Sequence, residues 1–367
     1  MGHIKKSLRR VALIGMVVAA LGSIIATAPA QGASKGDGKF HVYGRNVVGP
    51  DGNPVVFRGV NKGGLEYSAN GYDEEMWNYQ RMKSWGANFV RVAVADNFAL
   101  KTMCSYDRNY IKTIDRIVSI GEQLKMLIML DDHIATKGLT CGRNGWASNQ
   151  KMPDARNVEF LKMLGTRYKN RPYVAIDLYN EPHQIGWDTW RKGGVVDGYK
   201  AVGMQQLLDT VRGTGFKGVV FATGVDWGND LRGIADTPLA NDTNVIYAAH
   251  SYPFWCDRAV GLNEAYRCKG KQYPAFLDTQ IAPAINKGRP VMITEFGTPR
   301  SNDGEMRSVL QWAEDHHIGY AAWLWCNGKM TDFCLLTPDG KNTPSVSGKP
   351  VQDFLFKANG WKSLNGK

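Results

Sequence analysis

Short apolar runs recur along this chain of 367 residues, and segments with the period of a helix separate them. Eight runs are candidate strands, and they lie at 56–61, 88–94, 126–131, 174–179, 219–224, 245–250, 291–295 and 319–325. Each run is apolar along most of its length, which indicates a strand buried on both faces, as in a parallel sheet covered by helices. Eight nearly regular strand–helix units predict a closed (β/α)8 barrel, the TIM barrel, rather than a doubly wound open sheet.

The segments between the strands and at the two ends complete this prediction. Apolar residues three or four positions apart form one stripe from Ile111 to Leu124 and another from Val158 to Tyr168, as expected for helices that pack on a sheet. A short N-terminal β-hairpin should precede the barrel, with a Pro-Asp-Gly-Asn turn at 50–53. A closing helix is expected over 351–356, and we see no proline- or serine-rich linker that would separate a second folded block.

The first thirty residues have the pattern of a secretory signal peptide. Four basic residues between positions 5 and 10 precede an uncharged apolar stretch at 11–25, and Ala28-Pro29-Ala30 resembles a cleavage site. The apolar stretch is shorter than the ~20 residues that a transmembrane helix needs. We therefore expect residues 1–30 to be removed, no membrane anchor to remain, and residues 31–367 to form a single domain of a secreted, extracellular protein.

The chain is basic, with a formal net charge of +11 from 45 Lys and Arg residues against 34 Asp and Glu residues. Cleavage of the leader would remove four of the positive charges. Since no Lys/Arg run and no nucleic-acid-binding motif occurs beyond the leader, the charge indicates a solvated basic surface and no nucleic-acid partner. We expect the protein to act as a monomer.

All six cysteines follow the leader, and none belongs to a Cys-x-x-Cys pair. An even number in an exported chain indicates disulfide bonds rather than metal ligands. Short spacings favour the local pairs Cys256–Cys268 and Cys326–Cys334, which leaves Cys104 for Cys141. The sequence alone permits the other pairings as well.

Polar residues gather at the carboxyl ends of the predicted strands, which is the rim where a TIM barrel carries its functional site. Glu181 follows strand four and Glu295 ends strand seven, and these strands face each other across a barrel of eight. Two carboxylates on opposite sides of a cleft can cleave a glycosidic bond if one is protonated and the other is ionised. Arg91, in strand two, would keep the attacking carboxylate ionised through a charge-assisted hydrogen bond.

Two motifs at these strand ends resemble those of a known enzyme family. Asn180-Glu181-Pro182 and the Ile-Thr-Glu-Phe-Gly segment at 293–297 are together similar to the motifs of glycoside hydrolase family 5, which contains many cellulases. The resemblance extends from the Pro-Val-Val-Phe-Arg-Gly-Val-Asn segment at 54–61 to the Trp pair at 323 and 325. It implies a (β/α)8 barrel and a retaining glycosidase that needs no metal ion and no other cofactor.

The resemblance also implies roles for individual residues. Glu181 corresponds to the general acid/base, Glu295 to the nucleophile, and Asn180 to the residue that binds the sugar 2-hydroxyl. The supporting positions that match are Arg91, His250 and Tyr252 as residues that orient the carboxylates, His133 as a histidine lining the site, and Trp323 as the platform under the sugar being cut. Trp325 is an alternative platform, because residues two apart on a strand point to the same side.

Several assignments have structural alternatives. Arg91 could instead be the buried partner of a carboxylate on strand four such as Asp177. Trp227 is a candidate for a further sugar-binding position, as are Trp187 and Trp255, but core packing would explain each of them equally well. The run Asp131-Asp132-His133 is compatible with a metal site, although we expect none because two carboxylates suffice for the chemistry.

These observations predict a secreted retaining endo-β-1,4-glucanase that hydrolyses a β-linked polysaccharide, cellulose-like β-glucan, through a covalent glycosyl–Glu295 intermediate. A β-mannanase, a β-1,3-glucanase or a glycolipid-directed glycosidase would need nearly the same two carboxylates. A carbohydrate-binding barrel without catalysis is a further alternative, but it predicts damage to the carboxylate pair or its supports, and the sequence contains none.

Overall fold

Eight parallel strands close into a barrel in the computed structural model, which describes residues 36–134, 150–252, 273–298, 303–328 and 331–358. The strands follow one another around the ring in chain order, and the last pairs with the first. They are β4 (Arg58–Lys62), β5 (Phe89–Ala95), β6 (Leu127–Ile134), β7 (Val174–Asp177), β10 (Val220–Thr223), β11 (Val245–Ser251), β12 (Val291–Phe296) and β13 (Gly319–Ala322). All eight predicted strands are present, so the prediction of a (β/α)8 barrel is confirmed.

Helices connect the barrel strands and cover their outer faces. Within the described ranges they are α1 (Met76–Ser84), α2 (Asp96–Ala99), α3 (Tyr110–Leu124), α4 (Ala155–Tyr168), α5 (Trp187–Lys192), α6 (Met204–Gly213), α7 (Arg232–Asp236), α8 (Tyr273–Gln280), α9 (Ala282–Asn286), α10 (Asp303–Asp315) and α11 (Gly348–Ala358). The two predicted apolar stripes lie on α3 and α4, and the predicted closing helix is α11.

Alternation along the strands divides the core into two layers. In β5, Val90, Val92 and Val94 pack toward the helices, whereas Phe89 belongs to a cluster that fills the inside of the barrel. Arg91 lies two residues after Phe89 and therefore also points inward, one layer closer to the carboxyl ends of the strands. The alternation of the strand thus places the charged side chain of Arg91 next to the apolar layer inside the barrel.

A three-stranded antiparallel sheet precedes the barrel and comprises β1 (His41–Tyr43), β2 (Asn46–Val48) and β3 (Pro54–Val55). The predicted hairpin corresponds to β2 and β3, whereas β1 was not predicted because three residues carry too little alternation to be recognised. Phe40 packs against Phe57 with ring centroids 5.4 Å apart. The sheet therefore covers the amino-terminal end of the barrel, opposite the rim predicted to carry the site.

A second antiparallel hairpin, β8 (Gly193–Val196) with β9 (Tyr199–Val202), lies between α5 and α6 and was not predicted either. Val196 and Ala201 bury against Met152, and the Val202 N–H donates to the Pro153 carbonyl at 2.8 Å. The hairpin thus packs beside the start of α4.

The described residues test only part of the predictions for the cysteines and the leader. The bond Cys326–Cys334 is present as predicted. Cys104 is also disulfide-bonded, but its proposed partner Cys141 lies outside the described residues, as do the pair Cys256–Cys268 and the proposed signal peptide at 1–30. Across the part of the chain that the structure describes, no helix combines the length and apolar character needed to span a bilayer.

The contact between β4 and β5 generates a stability prediction. A β-carbon added at Gly59 would lie 1.8 Å from the Phe89 carbonyl oxygen, so Gly59→Ala should lower the free energy of unfolding by about 2 kcal/mol or more. Urea denaturation followed by circular dichroism measures the loss.

Gly213→Ala is the matched control, because an added methyl there meets no atom within 4 Å at the end of α6. Its stability should stay within about 1 kcal/mol of the wild type. Equal stability of both variants would contradict the tight strand contact.

Candidate active site

The two glutamates singled out by the sequence meet at the carboxyl-terminal rim of the barrel. Glu181 follows β7, and Glu295 lies in β12. A carboxylate oxygen from each lies within 4.8 Å of the other, together with a ring nitrogen of His250. His250 Nδ1 is 2.9 Å from Glu181 Oε1 and 3.8 Å from Glu295 Oε2. The barrel therefore brings together side chains that are far apart in sequence.

Arg91 is fully buried and binds Glu295 directly. One terminal nitrogen, Nη1, donates to Glu295 Oε2 at 2.6 Å and to Asn61 Oδ1 at 3.0 Å. The other, Nη2, donates to Asn180 Oδ1 at 2.7 Å. The guanidinium thus fixes the carboxylate of Glu295 and the amide of Asn180 relative to each other. Charge-assisted bonds of this kind are short and strong.

Two further carboxyl groups lie beneath Arg91. Nη2 is 3.0 Å from Asp131 Oδ2 and 3.7 Å from Asp177 Oδ2, and all three side chains are buried. The charge of these neighbours raises the pKa of Arg91 even though burial opposes it. Arg91 therefore binds Glu295 and also lies beside the buried carboxyl group of Asp177.

Glu181 has a different environment from Glu295. Burial raises the pKa of Glu181 to about 7, although the cations of His133 and Arg91 oppose the shift. Its bonded neighbour His250 supplies no charge, because burial lowers the pKa of His250 to about 3 and leaves the imidazole neutral. Glu295, in contrast, accepts hydrogen bonds from Arg91 and from the Tyr252 hydroxyl.

His133 carries a positive charge at the wall of the cleft. Burial opposes that charge, but Asp131, whose Oδ2 lies 2.7 Å from Nδ1, raises the pKa of His133 to about 9. The imidazole ring is parallel to the indole of Trp323, with an interplanar angle of 6° and 5.3 Å between centroids. Trp323 is partly exposed, so its position suits contact with a ligand.

Trp325 does not line the site, and its assignment as an alternative platform is wrong. The side chain is 2% exposed, packs edge-on against Trp85 and donates from its indole N–H to Asn78 Oδ1 at 2.8 Å. The assumption of strand alternation fails because β13 ends at Ala322. Beyond that residue the backbone no longer keeps positions two apart on one side.

The remaining tryptophan candidates differ in their placement. Trp227 is partly exposed and stacks on His183 with centroids 3.5 Å apart, and His183 Nδ1 lies 2.8 Å from the Glu181 carbonyl oxygen. Trp227 is therefore close to the cleft. Trp187 packs against Trp190, which makes core packing the better account, and Trp255 lies outside the described residues.

The run Asp131-Asp132-His133 does not form a joint ligand set. Asp131 and His133 bind each other on the inner side of β6, whereas Asp132 accepts from Asn157 Nδ2 at 2.7 Å on the outer side. By distance, Glu181, His250 and Glu295 could together hold a metal ion. Glu295 is already bonded by Arg91 at 2.6 Å and by the Tyr252 hydroxyl.

Sequence reasoning did not identify Asn61 as part of this network. Asn61 Nδ2 donates to the carbonyl oxygens of Thr294 and Ala321, both at 3.0 Å, while its Oδ1 accepts from Arg91. Asn61 therefore ties β4 to the two strands that precede it around the ring. The signal was available, because Asn61 is a polar residue at the end of the first barrel strand.

Comparison with known proteins gives one family match. The model of the family described as Cellulase (glycosyl hydrolase family 5) matches residues 48–329. An endoglucanase of Paenibacillus polymyxa is 26% identical over 87% of this chain and 86% of that protein. A mannan endo-1,4-beta-mannosidase of Salipaludibacillus agaradhaerens is 24% identical over 81% of this chain and 84% of that protein.

Solved structures share the fold at lower identity. A beta-glucanase from Saccharophagus degradans, in complex with cellotetraose, has a TM-score of 0.68 and 19% identity and covers 87% of this chain and 93% of its own. The catalytic domain of the major endoglucanase from Xanthomonas campestris has a TM-score of 0.64 and 19% identity, with coverage of 87% and 99%.

The contrast between the two tryptophans after β13 is testable. Trp325→Ala should lower the free energy of unfolding by about 3–5 kcal/mol, because it empties a buried indole site and leaves Asn78 without its donor. Trp323→Ala should cost less, since its side chain is partly exposed. Urea unfolding of both variants measures the difference, and equal losses would contradict the buried role of Trp325.

Proposed function

Since the chain belongs to the cellulase family, glycosyl hydrolase family 5, we propose that it is a secreted retaining endo-β-1,4-glucanase. Its substrate would be a cellulose-like β-glucan, with Glu181 as general acid/base and Glu295 as nucleophile. One observation carries the proposal: a carboxyl group with its pKa raised to about 7 faces an arginine-bound carboxylate, with oxygens within 4.8 Å.

The separation of the two carboxyl groups supports retention of configuration. Retaining glycosidases keep them ~5–5.5 Å apart so that one can attack the sugar directly, whereas inverting enzymes leave ~6.5–9.5 Å for an intervening water. One oxygen of Glu181 and one of Glu295 lie within 4.8 Å of each other, which supports direct attack by a carboxylate rather than by an intervening water.

In the first step, Glu295 attacks the anomeric carbon while Glu181 gives its proton to the leaving glycosidic oxygen. The bond to the leaving sugar breaks as the glycosyl–Glu295 ester forms. Arg91 and Tyr252 hold the attacking carboxylate in one orientation, because they donate to different oxygens of it. Asn180, fixed by Arg91, is placed beside the same carboxylate and would bind the 2-hydroxyl.

In the second step, Glu181 takes a proton from water, and the resulting hydroxide equivalent attacks the anomeric carbon. The ester bond to Glu295 breaks, the sugar leaves with its original configuration, and Glu181 is protonated again. His250 supports this switch between acid and base, since its neutral imidazole bonds Glu181 without fixing a charge on it.

Aromatic residues on both sides of the carboxylates would hold the sugar chain. Trp323, backed by the His133 imidazolium, offers a flat apolar face for the sugar being cut. Trp227 would contact the leaving portion, and its stacking on His183, which bonds the Glu181 carbonyl oxygen, supports this role. Aromatic faces favour the C–H groups of a sugar ring because the ring face carries partial negative charge.

The proposal extends to where and how the protein acts. The pattern of residues 1–30 supports removal of the leader and secretion, and residues 31–367 would act as one catalytic domain and as a monomer. A β-mannanase is the second candidate, favoured by the mannosidase of Salipaludibacillus agaradhaerens among the relatives. The two activities differ at the sugar 2-hydroxyl, which is equatorial in glucose and axial in mannose.

The nucleophile assignment predicts the loss of activity in Glu295→Ala by several orders of magnitude, with the fold retained. Reducing ends released from a panel of purified β-glucans and mannans would measure activity, and NMR of the first products should show retained anomers for the wild type. Glu159→Gln, on the exposed face of α4, is the control and should keep full activity. Inverted products, or an active Glu295→Ala, would overturn the mechanism.

The acid assignment predicts a pH dependence. Glu181 must be protonated in the first step, so kcat/KM should fall as the pH rises above about 7, where the carboxyl group loses its proton. For an aryl glycoside whose leaving group needs no proton, Glu181→Ala should keep the first step and lose this alkaline limb. If the alkaline limb persists unchanged in Glu181→Ala, another group is responsible for it.

A further inference from the structure

A cavity of about 240 Å³ opens on the outer part of the rim. One wall comes from the end of β4 and the segment leading into α1, with Tyr72 and Trp77. The other wall comes from the segment after β13, with Asn327 and Thr337. The same two parts of the chain contribute Asn61 and Trp323 to the candidate active site. The cavity and the cleft are therefore built on the same two strand ends.

Exposed aromatic rings mark this part of the surface. Tyr67, Tyr72 and Trp77 are 45%, 43% and 46% exposed, and all three lie between β4 and the first turn of α1. Exposed apolar side chains that adjoin one another mark binding surfaces. Tyr72 and Trp77 line the cavity itself.

Neighbouring side chains hold Trp77 and the backbone of Tyr72 in place. The Arg81 guanidinium lies 5.0 Å from the centre of the Trp77 ring and donates to the Gly340 carbonyl at 2.6 Å. The Tyr72 carbonyl accepts from the buried Lys62 ammonium at 2.5 Å, and Lys62 pairs with Glu74 at 2.7 Å. A site arranged in advance loses less conformational entropy when it binds.

The second wall is fixed by a covalent bond. The Cys326–Cys334 disulfide closes the loop that carries Asn327, and the Leu336 N–H donates to the Cys326 carbonyl at 3.1 Å. Cys326 and Leu336 both line the cavity. The disulfide therefore holds the shape of this cavity.

The lining fits a neutral sugar. Aromatic faces are combined with the hydroxyl- and amide-bearing side chains of Thr337, Asn327 and Asn342. Arg81 and Asp73 carry opposite charges, and the third charged residue of the lining, Lys62, is paired with Glu74. Sugars present apolar C–H faces and rings of hydroxyl groups, which match aromatic and amide groups respectively. The volume is below the ~300 Å³ of drug-sized sites, which suits one ring of a chain.

We propose that this cavity is a second glycan-binding site, with Trp77 as its platform, which holds a neutral β-glucan chain away from the bond being cut. It rests on the proposed function, because the glycan is taken to be the substrate of the same enzyme. A long chain then contacts both the cleft and the cavity, whereas a short oligosaccharide contacts only the cleft.

Binding to insoluble cellulose tests the proposal in the hydrolytically inactive Glu295→Gln protein. Adding Trp77→Ala should weaken the affinity by about tenfold, the loss expected for one aromatic stacking contact, and Trp77→Phe should restore part of it. Tyr43→Ala is the matched control, since Tyr43 is 65% exposed on β1 at the opposite end of the barrel. Its affinity should equal that of Glu295→Gln alone.

Hydrolysis by the Trp77→Ala enzyme, with Glu295 intact, separates this site from the cleft. KM for polymeric glucan should rise while kcat/KM for cellotriose stays unchanged. Unaltered cellulose binding, or an equal loss on polymer and cellotriose, overturns the second site while leaving the proposed function intact. If the wild type releases no reducing ends from any β-glucan, the proposed function itself fails.

Discussion

A single buried guanidinium, that of Arg91, holds together the polar layer at the top of the barrel. Carboxyl oxygens of Glu295, Asp131 and Asp177 lie 2.6, 3.0 and 3.7 Å from it. Three buried carboxylates around one cation would leave excess negative charge, which is costly away from water. A second cation, His133, bonds Asp131, and burial together with the neighbouring Asp131 raises the pKa of Asp177 well above its usual range. The position of Glu295 therefore depends on three strands besides its own.

Within this network, the two glutamates Glu295 and Glu181 have different hydrogen-bond partners. Glu295 receives donated hydrogen bonds from a guanidinium and a phenol, which favour a fixed carboxylate. Glu181 has a neutral imidazole as its bonded partner, and burial raises its pKa to about 7. The proposed division into a proton donor and an attacking group rests on these environments rather than on the side chains themselves.

The segments after β4 and β13 connect this network to the outer part of the rim. Asn61 at the end of β4 bonds Arg91, and the next residue, Lys62, anchors the segment that carries the exposed Tyr72. After β13, Trp323 faces the cleft while Trp325 is buried beneath the cavity. The proposed catalytic and glycan-binding surfaces are therefore built on neighbouring residues of the same two segments.

The sequence by itself determined the eight strands, their burial, and the rim on which Glu181 and Glu295 lie, because strand period and strand-end position are local properties of the chain. It did not determine β1, the hairpin of β8 and β9, or the role of Asn61. The tertiary structure alone decided that Trp323 faces the cleft and Trp325 the core, since alternation stops where β13 ends. It also decided the separation of the two carboxyl groups and the raised pKa of Glu181, because both depend on which strands the closed barrel places side by side.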